Sequence, residues 1–284
     1  MANQNFVAVK ISGGFGNQMF AYAAALALAT RLGGTLRFDL RSYSQHGSRP
    51  MQLGAFGIAL PEYTPTWWKL ERLARQLTGG RWQPGPERLA EENDFEPGYF
   101  NLSLPCYIRG FFQSWRYFAG YETEVRAAFD TTRLATTRTA PVERAILAAE
   151  CPVMVHVRRG DYREAPTIAT LLGRDHYDAA RALLEARGLK PRYFLFSDDL
   201  ADATALLADW PDVTPVDGLD NLETLRVMSL CRHQIIANSS FSWWAAWLGT
   251  AHDKIVVAPK TWFGPDYERE LDMDARLPPE WIRV

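Results

Sequence analysis

The stretch VMVHVRRGDY, Val153 to Tyr162, runs from five mostly apolar residues straight into Arg158, Arg159, Gly160 and Asp161. Side chains alternate along a strand, so Val153, Val155 and Val157 share one face and Met154, His156 and Arg158 the other. Both faces are largely apolar, as in a central strand of a parallel sheet covered on both sides. The abrupt charge then marks the strand's carboxyl end, the edge at which open α/β sheets bind ligands. His156 suits either a hydrogen-bonded core position or a ligand contact. The tripeptide Arg159, Gly160, Asp161 is not an adhesive loop, which would need an exposed, flexible setting rather than the end of a buried strand.

Two other segments end in the same way. RYFLF runs into Ser197, Asp198 and Asp199, and HQIIA runs into Asn238, Ser239 and Ser240. Helical patterns separate them: HYDAARALLEARG, closed by Gly188, then ADATALLADW, LETLRVMSLC and SWWAAWLG, with KIVVAP as a last strand. Strand–helix alternation implies a parallel sheet, on which all three polar clusters reach one edge. Ser239 and Ser240 begin a helix, whose free N–H groups suit a phosphate. Arg158 nearby would add a charge-assisted clamp. An acid such as Asp198 would rather accept from a base amino group or a ribose hydroxyl. Together these residues sketch a nucleoside diphosphate site. Trp243, Trp244 and Trp247 are expected to pack their helix onto the sheet.

Nearer the N-terminus, FVAVKIS reads as a strand, GGFGN as a turn, Asn17 to Leu32 as an alanine-rich helix ending at Gly33–Gly34, and TLRFD as a second strand. The glycine loop has Met19 where a dinucleotide fingerprint needs its third glycine, so it does not indicate NAD. Gly14 and Gly16 would still let a ligand approach the backbone, with Asn17 and Gln18 the first polar groups beyond. Residues 41–105 are weakly patterned, and their acidic run EENDFE is expected to be a solvated loop. CYIRGFFQSWRYF combines a strand, a turn and an aromatic helix start. Residues 130–141, DTTRLATTRTAP, lose apolar periodicity and are expected to be the linker between domains 1–140 and 141–284.

Bulk properties narrow the class. The chain has 284 residues, is 47% hydrophobic and carries a formal net charge of −2, which argues against an extended nucleic-acid or membrane-binding face. Three scattered cysteines without metal-ligand spacing are expected to be free thiols in a reducing compartment. MFAYAAALALA imitates a signal-peptide core, but it follows a glycine loop and is too short to span a bilayer. Asp198 and Asp199 would project to opposite sides of a continuing strand, and no second carboxylate cluster accompanies them. No metal or other cofactor is therefore expected.

GGFGNQMFAYA, FFQSWRYF, VHVRRGDY, FSDD and ANSSFSWWAAWL, in this order over most of the chain, resemble the α-1,2-fucosyltransferases of glycosyltransferase family 11, especially the bacterial ones. The resemblance implies an α/β, GT-B-type architecture of two Rossmann-like domains around a cleft. Residues 1–140 would form the acceptor side and residues 141–284 the GDP-fucose-binding domain. It implies GDP-β-L-fucose as donor and a terminal β-galactoside as acceptor, joined in an α-1,2 linkage with inversion. By the same resemblance Arg158 grips the β-phosphate, and His156 and Asp198 touch the nucleoside. Ser239, Ser240 and Phe241 cradle the pyrophosphate, and Asn17 faces the cleft from the other domain. Arg159, Ser197, Asn238, Gly14 and Gly16 complete the expected binding set. Arg158, Asp161 and Asn17 are the candidate catalytic residues, with Asp161 or, less directly, Glu164 as general base. Asp161 has the alternative role of holding Arg158 or Arg159 in place. No nucleic-acid partner or stable membrane insertion is expected. The expected location is cytoplasmic, with at most a peripheral association with the inner membrane. The rival readings are a fucosyltransferase of another linkage and a non-catalytic GDP-sugar or glycan binder.

Overall fold

A computed structural model describes residues 5–44, 49–65, 86–90, 95–164, 170–264 and 272–284. The chain divides into two units, Met1–Ala128 and Phe129–Val284. The first holds β1 (Phe6–Lys10), β2 (Thr35–Asp39), β3 (Glu87–Ala90) and β4 (Cys106–Arg109), paired in parallel in the order β2-β1-β4-β3. The helix Phe15–Leu32 crosses from β1 to β2, and its small residues Ala21, Ala23, Ala24, Ala25 and Ala27 are all buried. Burial around most of its circumference explains why this segment imitates a signal peptide. It stops at Gly33, whose φ of 66° is the left-handed conformation that glycine adopts without a side-chain penalty. Among the described residues no helix is long and apolar enough to cross a membrane.

The second unit holds β5 (Pro152–Val157), β6 (Arg192–Ser197), β7 (Val213–Pro215), β8 (His233–Ile235), β9 (Val256–Ala258) and β10 (Ile282–Arg283). All pair in parallel in the order β10-β9-β8-β5-β6-β7. Every residue of β5 is buried. Val153, Val155 and Val157 enter one apolar cluster with Tyr177, Leu184, Leu195 and Ile235, as their shared face predicts. From β5 the chain proceeds to β6 and β7 on one side, then returns to β8 on the other side and moves outward. The neighbours β5 and β8 are therefore where the strand order reverses, the position at which open α/β sheets bind ligands beyond the strands' carboxyl ends. Two Rossmann-like α/β units are the build expected of a GT-B-type chain.

The expected linker is corrected. Residues 130–141 belong to the second unit and are tied to it by polar contacts. Thr131–Leu134 is a 3-10 helix with Leu134 buried. Thr136 Oγ1 donates to Glu223 Oε1 at 2.6 Å, and Arg138 Nη2 lies 2.7 Å from Glu223 Oε2. Threonines that bind a buried carboxylate leave no apolar period to read. Strands β3, β7 and β10 were also not anticipated, being two to four residues long. Residues 91–94 of the acidic run lie outside the described residues.

Candidate functional site

At the carboxyl ends of β5 and β6, Asp198 organises the loop that follows VMVHV. Its Oδ1 accepts from the backbone N–H of Arg159 at 2.8 Å, and its Oδ2 from that of Gly160 at 3.0 Å. Arg158 Nη1 stands 3.1 Å from the same Oδ2. Gly160 is required there, because a Cβ would fall 2.7 Å from Asp198 Oδ2. Both Asp198 oxygens thus hold the arginine loop. The Arg158 guanidinium also lies over the Tyr162 ring, 5.6 Å from its centre, and its side chain is 24% exposed.

Arg159 departs on the other side, as strand alternation requires. It is buried, donates from Nη1 to the Leu172 carbonyl at 2.7 Å and pairs with Asp202 at 2.7 Å. These partners make it an anchor of the loop. Ser197 is also occupied locally: its hydroxyl accepts from Asp199 N and donates to Asp199 O, both at 3.0 Å. Asp199 faces away from Asp198, capping the helix Leu200–Leu206 and pairing with Arg163 at 2.8 Å. Among the described residues no three His, Cys, Asp or Glu side chains gather to hold a metal ion. Asp161 lies in the short helix Gly160–Glu164, but its side chain and that of Glu164 are outside the described residues.

Beyond β8, the site departs further from the sequence expectation. Asn238 is buried, and its amide donates to the carbonyls of Thr170 at 2.8 Å and Trp262 at 2.7 Å. Its own carbonyl accepts from the Tyr162 hydroxyl at 2.6 Å. Both amide protons are spent on the fold, so Asn238 ties the segment after β8 to Thr170 and Trp262. Ser239 is the N-cap of the helix Ser240–Leu248 and accepts from Phe241 N at 3.3 Å. That leaves Ser240, half-buried in the first turn, as the serine whose hydroxyl bonds to no described residue. Trp243 and Trp244 are fully buried and pack edge to face at 5.0 Å, as expected of packing residues.

His156 is buried beside Phe241, with ring centres 6.1 Å apart, and its Nδ1 has no hydrogen-bond partner among the described residues. Burial, reinforced by the Arg158 charge, drives its pKa down to about 3. The imidazole is therefore neutral at physiological pH, with a buried nitrogen that bonds to none of the described residues.

In the first unit, Gly14 caps the helix Phe15–Leu32, and Arg49 occupies the space where its side chain would be: a Cβ there would lie 2.5 Å from Arg49 Nη1. Gly16 is buried within the first helical turn. Neither glycine leaves the open backbone approach that the sequence suggested. Asn17 accepts from Gln113 Nε2 at 2.7 Å, joining the ends of β1 and β4. Sequence reasoning missed Tyr162, Asp202, Thr170 and Gln113. Tyr162 and Gln113 sat inside quoted motifs, whereas Asp202 and Thr170 offered no local signal.

A parallel sheet with an arginine at its reversal point and a capped helix after the neighbouring strand defines an open α/β fold with a polar site at its carboxyl edge. The chain matches glycosyl transferase family 11 over residues 1–284 and belongs to that family; it is a glycosyltransferase. It is 27% identical over 301 residues to an α-1,2-colitosyltransferase of Escherichia coli, with 99% of each chain covered. It is 26% identical to the mouse (Mus musculus) galactoside 2-α-L-fucosyltransferase Sec1, covering 100% of this chain and 75% of that one. Among solved structures it is similar to the fucosyltransferase NodZ from Bradyrhizobium, at 17% identity and a TM-score of 0.48, covering 85% of this chain and 92% of the other.

Proposed function

We propose that the chain transfers L-fucose from GDP-β-L-fucose to the 2-hydroxyl of a terminal β-galactoside. The observation that carries this reading is Arg158, partly exposed and oriented by Asp198 at the carboxyl end of β5, whose neighbour β8 leads into the helix that starts at Ser240. The 2-hydroxyl oxygen attacks C1 of fucose as the bond from C1 to the β-phosphate oxygen breaks, inverting C1 and releasing GDP. Negative charge grows on that phosphate oxygen, and a positioned guanidinium fork stabilises it. A base must take the hydroxyl proton, and Asp161 is the proposed group. The neutral His156, whose buried Nδ1 bonds to no described residue, is the proposed hydrogen-bonding group toward the nucleoside. The reaction needs no metal on this reading, since both acids of the Asp198–Asp199 pair already bind arginines.

The α-1,2-colitosyltransferase relative favours a second reading, in which the donor sugar lacks the 3-hydroxyl of fucose. One assay separates them: GDP-fucose and GDP-colitose are offered in competition with lactose as acceptor, in EDTA, and the products are analysed for linkage. The expected result is an α-1,2-fucosyl product at undiminished rate in EDTA. A preference for GDP-colitose overturns the donor assignment. Loss of activity that a divalent cation restores overturns the metal-free mechanism.

A further inference from the structure

We infer that Phe111, with the side-chain amides of Asn17 and Gln113, forms a platform for the pyranose ring of the acceptor. The backbone is bent to present it. After β4, Gly110 has a φ of 155° and Phe112 a φ of 51°, a left-handed conformation that a bulky residue adopts only when its surroundings impose it. Phe112 is fully buried edge-on against Tyr117, with ring centres 5.1 Å apart. Anchoring Phe112 inward turns Phe111 outward, where it remains 45% exposed. Among the described residues, Phe100, Phe111, Leu147 and Leu171 are the exposed large apolar side chains, and Phe111 is the one that follows a strand's carboxyl end.

Its neighbours suit a sugar. The ring edge lies over Gly13, where a Cβ would stand 3.1 Å from Phe111 Cε1 and 2.8 Å from Asn17 Nδ2. Gly13, at φ 79°, thus brings the aromatic ring and the amide together. The bond from Gln113 Nε2 to Asn17 Oδ1 fixes which end of Asn17 is which, and Asn17 Nδ2 then donates to no described residue. A pyranose has an apolar face of C–H groups ringed by hydroxyls. A flat ring beside an oriented amide donor matches that chemistry, whereas a purely apolar ligand would leave the Asn17 Nδ2 donor without an acceptor.

This inference rests on the proposed transfer to a β-galactoside, and the test keeps the two apart. Phe111→Leu keeps apolar bulk without the flat face, and Phe111→Trp keeps the face. With wild type, saturation-transfer NMR on methyl β-D-galactopyranoside should show contact concentrated on the C–H protons of one sugar face, retained in Phe111→Trp and lost in Phe111→Leu. In the transfer assay, Phe111→Leu should raise KM for the galactoside about tenfold, with KM for GDP-fucose unchanged. No saturation transfer to wild type, or transfer unaltered by Phe111→Leu, overturns the platform. Equal losses in kcat, donor KM and thermal stability also overturn it, because they mark a purely structural residue. Face-selective contact that depends on Phe111, in a protein that transfers no sugar, supports the platform and removes the activity reading instead.

Discussion

Arg158 and Arg159 are adjacent in sequence and opposite in circumstance. Arg158 is partly exposed and shares its acid with two backbone N–H groups; Arg159 is buried between a carbonyl and Asp202. Their lysine variants should separate activity from stability. Arg158→Lys keeps charge but loses the fork, and should lower kcat/KM by about 10²–10³-fold with the melting temperature nearly unchanged. Arg159→Lys cannot satisfy both the buried Leu172 carbonyl and the partly exposed Asp202, and should cost roughly 1–3 kcal/mol of stability, with a smaller effect on turnover by properly folded enzyme. Steady-state kinetics and thermal melts on both variants check this. Near-normal kcat/KM in Arg158→Lys alongside a dead, stable Arg159→Lys would reverse the roles.

The helix Ser240–Leu248 shows how one element is fastened at both ends. Ser239 caps its start, while Lys254 Nζ reaches back to the carbonyls of Ala246 at 2.8 Å, Trp247 at 3.3 Å and Gly249 at 2.7 Å. These are the carbonyls that a helix leaves unpaired at its C-terminus, and the ammonium also complements the helix dipole. Between the caps, Trp243 donates from Nε1 to the Arg276 carbonyl at 3.1 Å and packs on Trp281. Lys254→Met keeps the apolar stem and removes three donor contacts. It should destabilise the protein by about 1–3 kcal/mol, read as a lower midpoint in urea unfolding with an unchanged slope. An unaltered midpoint would show that water serves those carbonyls equally well. The KIVVAP pattern located the strand after Lys254, but nothing local announced that its lysine closes the tryptophan helix.

For the whole molecule, three buried histidines set the response to acid. Burial lowers the pKa of His156, His176 and His233, for His156 down to about 3. In the unfolded chain each takes up a proton as the pH falls below about 6.5. Between that value and its folded pKa the unfolded state binds more protons, so stability is full above about pH 6.5 and declines on acidification. Each histidine contributes up to roughly one kcal/mol per pH unit in this window. Glu143, hydrogen-bonded by Arg226, and Asp39, held low by Arg41 and Tyr107 against its own burial, act lower, as the pH falls through their depressed values. The melting temperature should therefore fall steadily from about pH 6.5 to about pH 4.5, and His156→Gln should make that slope shallower. An unchanged slope in His156→Gln would show that His156 is protonated in the folded state.

The sequence by itself determined the parallel α/β class, the central place of VMVHV and the divergence of its two arginines, because strand alternation and burial on two faces are local properties written in residue order. It also located the edge where the polar clusters meet, since every strand of a parallel sheet ends on the same side. Which polar atoms remain open there was decided only by the tertiary structure. Asn238, Ser197 and Ser239 read as ligand contacts by residue type, yet their partners are carbonyls and N–H groups of the fold. The boundary at residues 128–129 was illegible for the same reason: Thr136 and Arg138 look like linker until Glu223, more than eighty residues later in the chain, supplies their partner. A hydrogen-bonding group has no fixed role in the linear chain. Its role is set by whichever partner folding brings within 3 Å, and folding satisfies most buried polar groups before any ligand arrives.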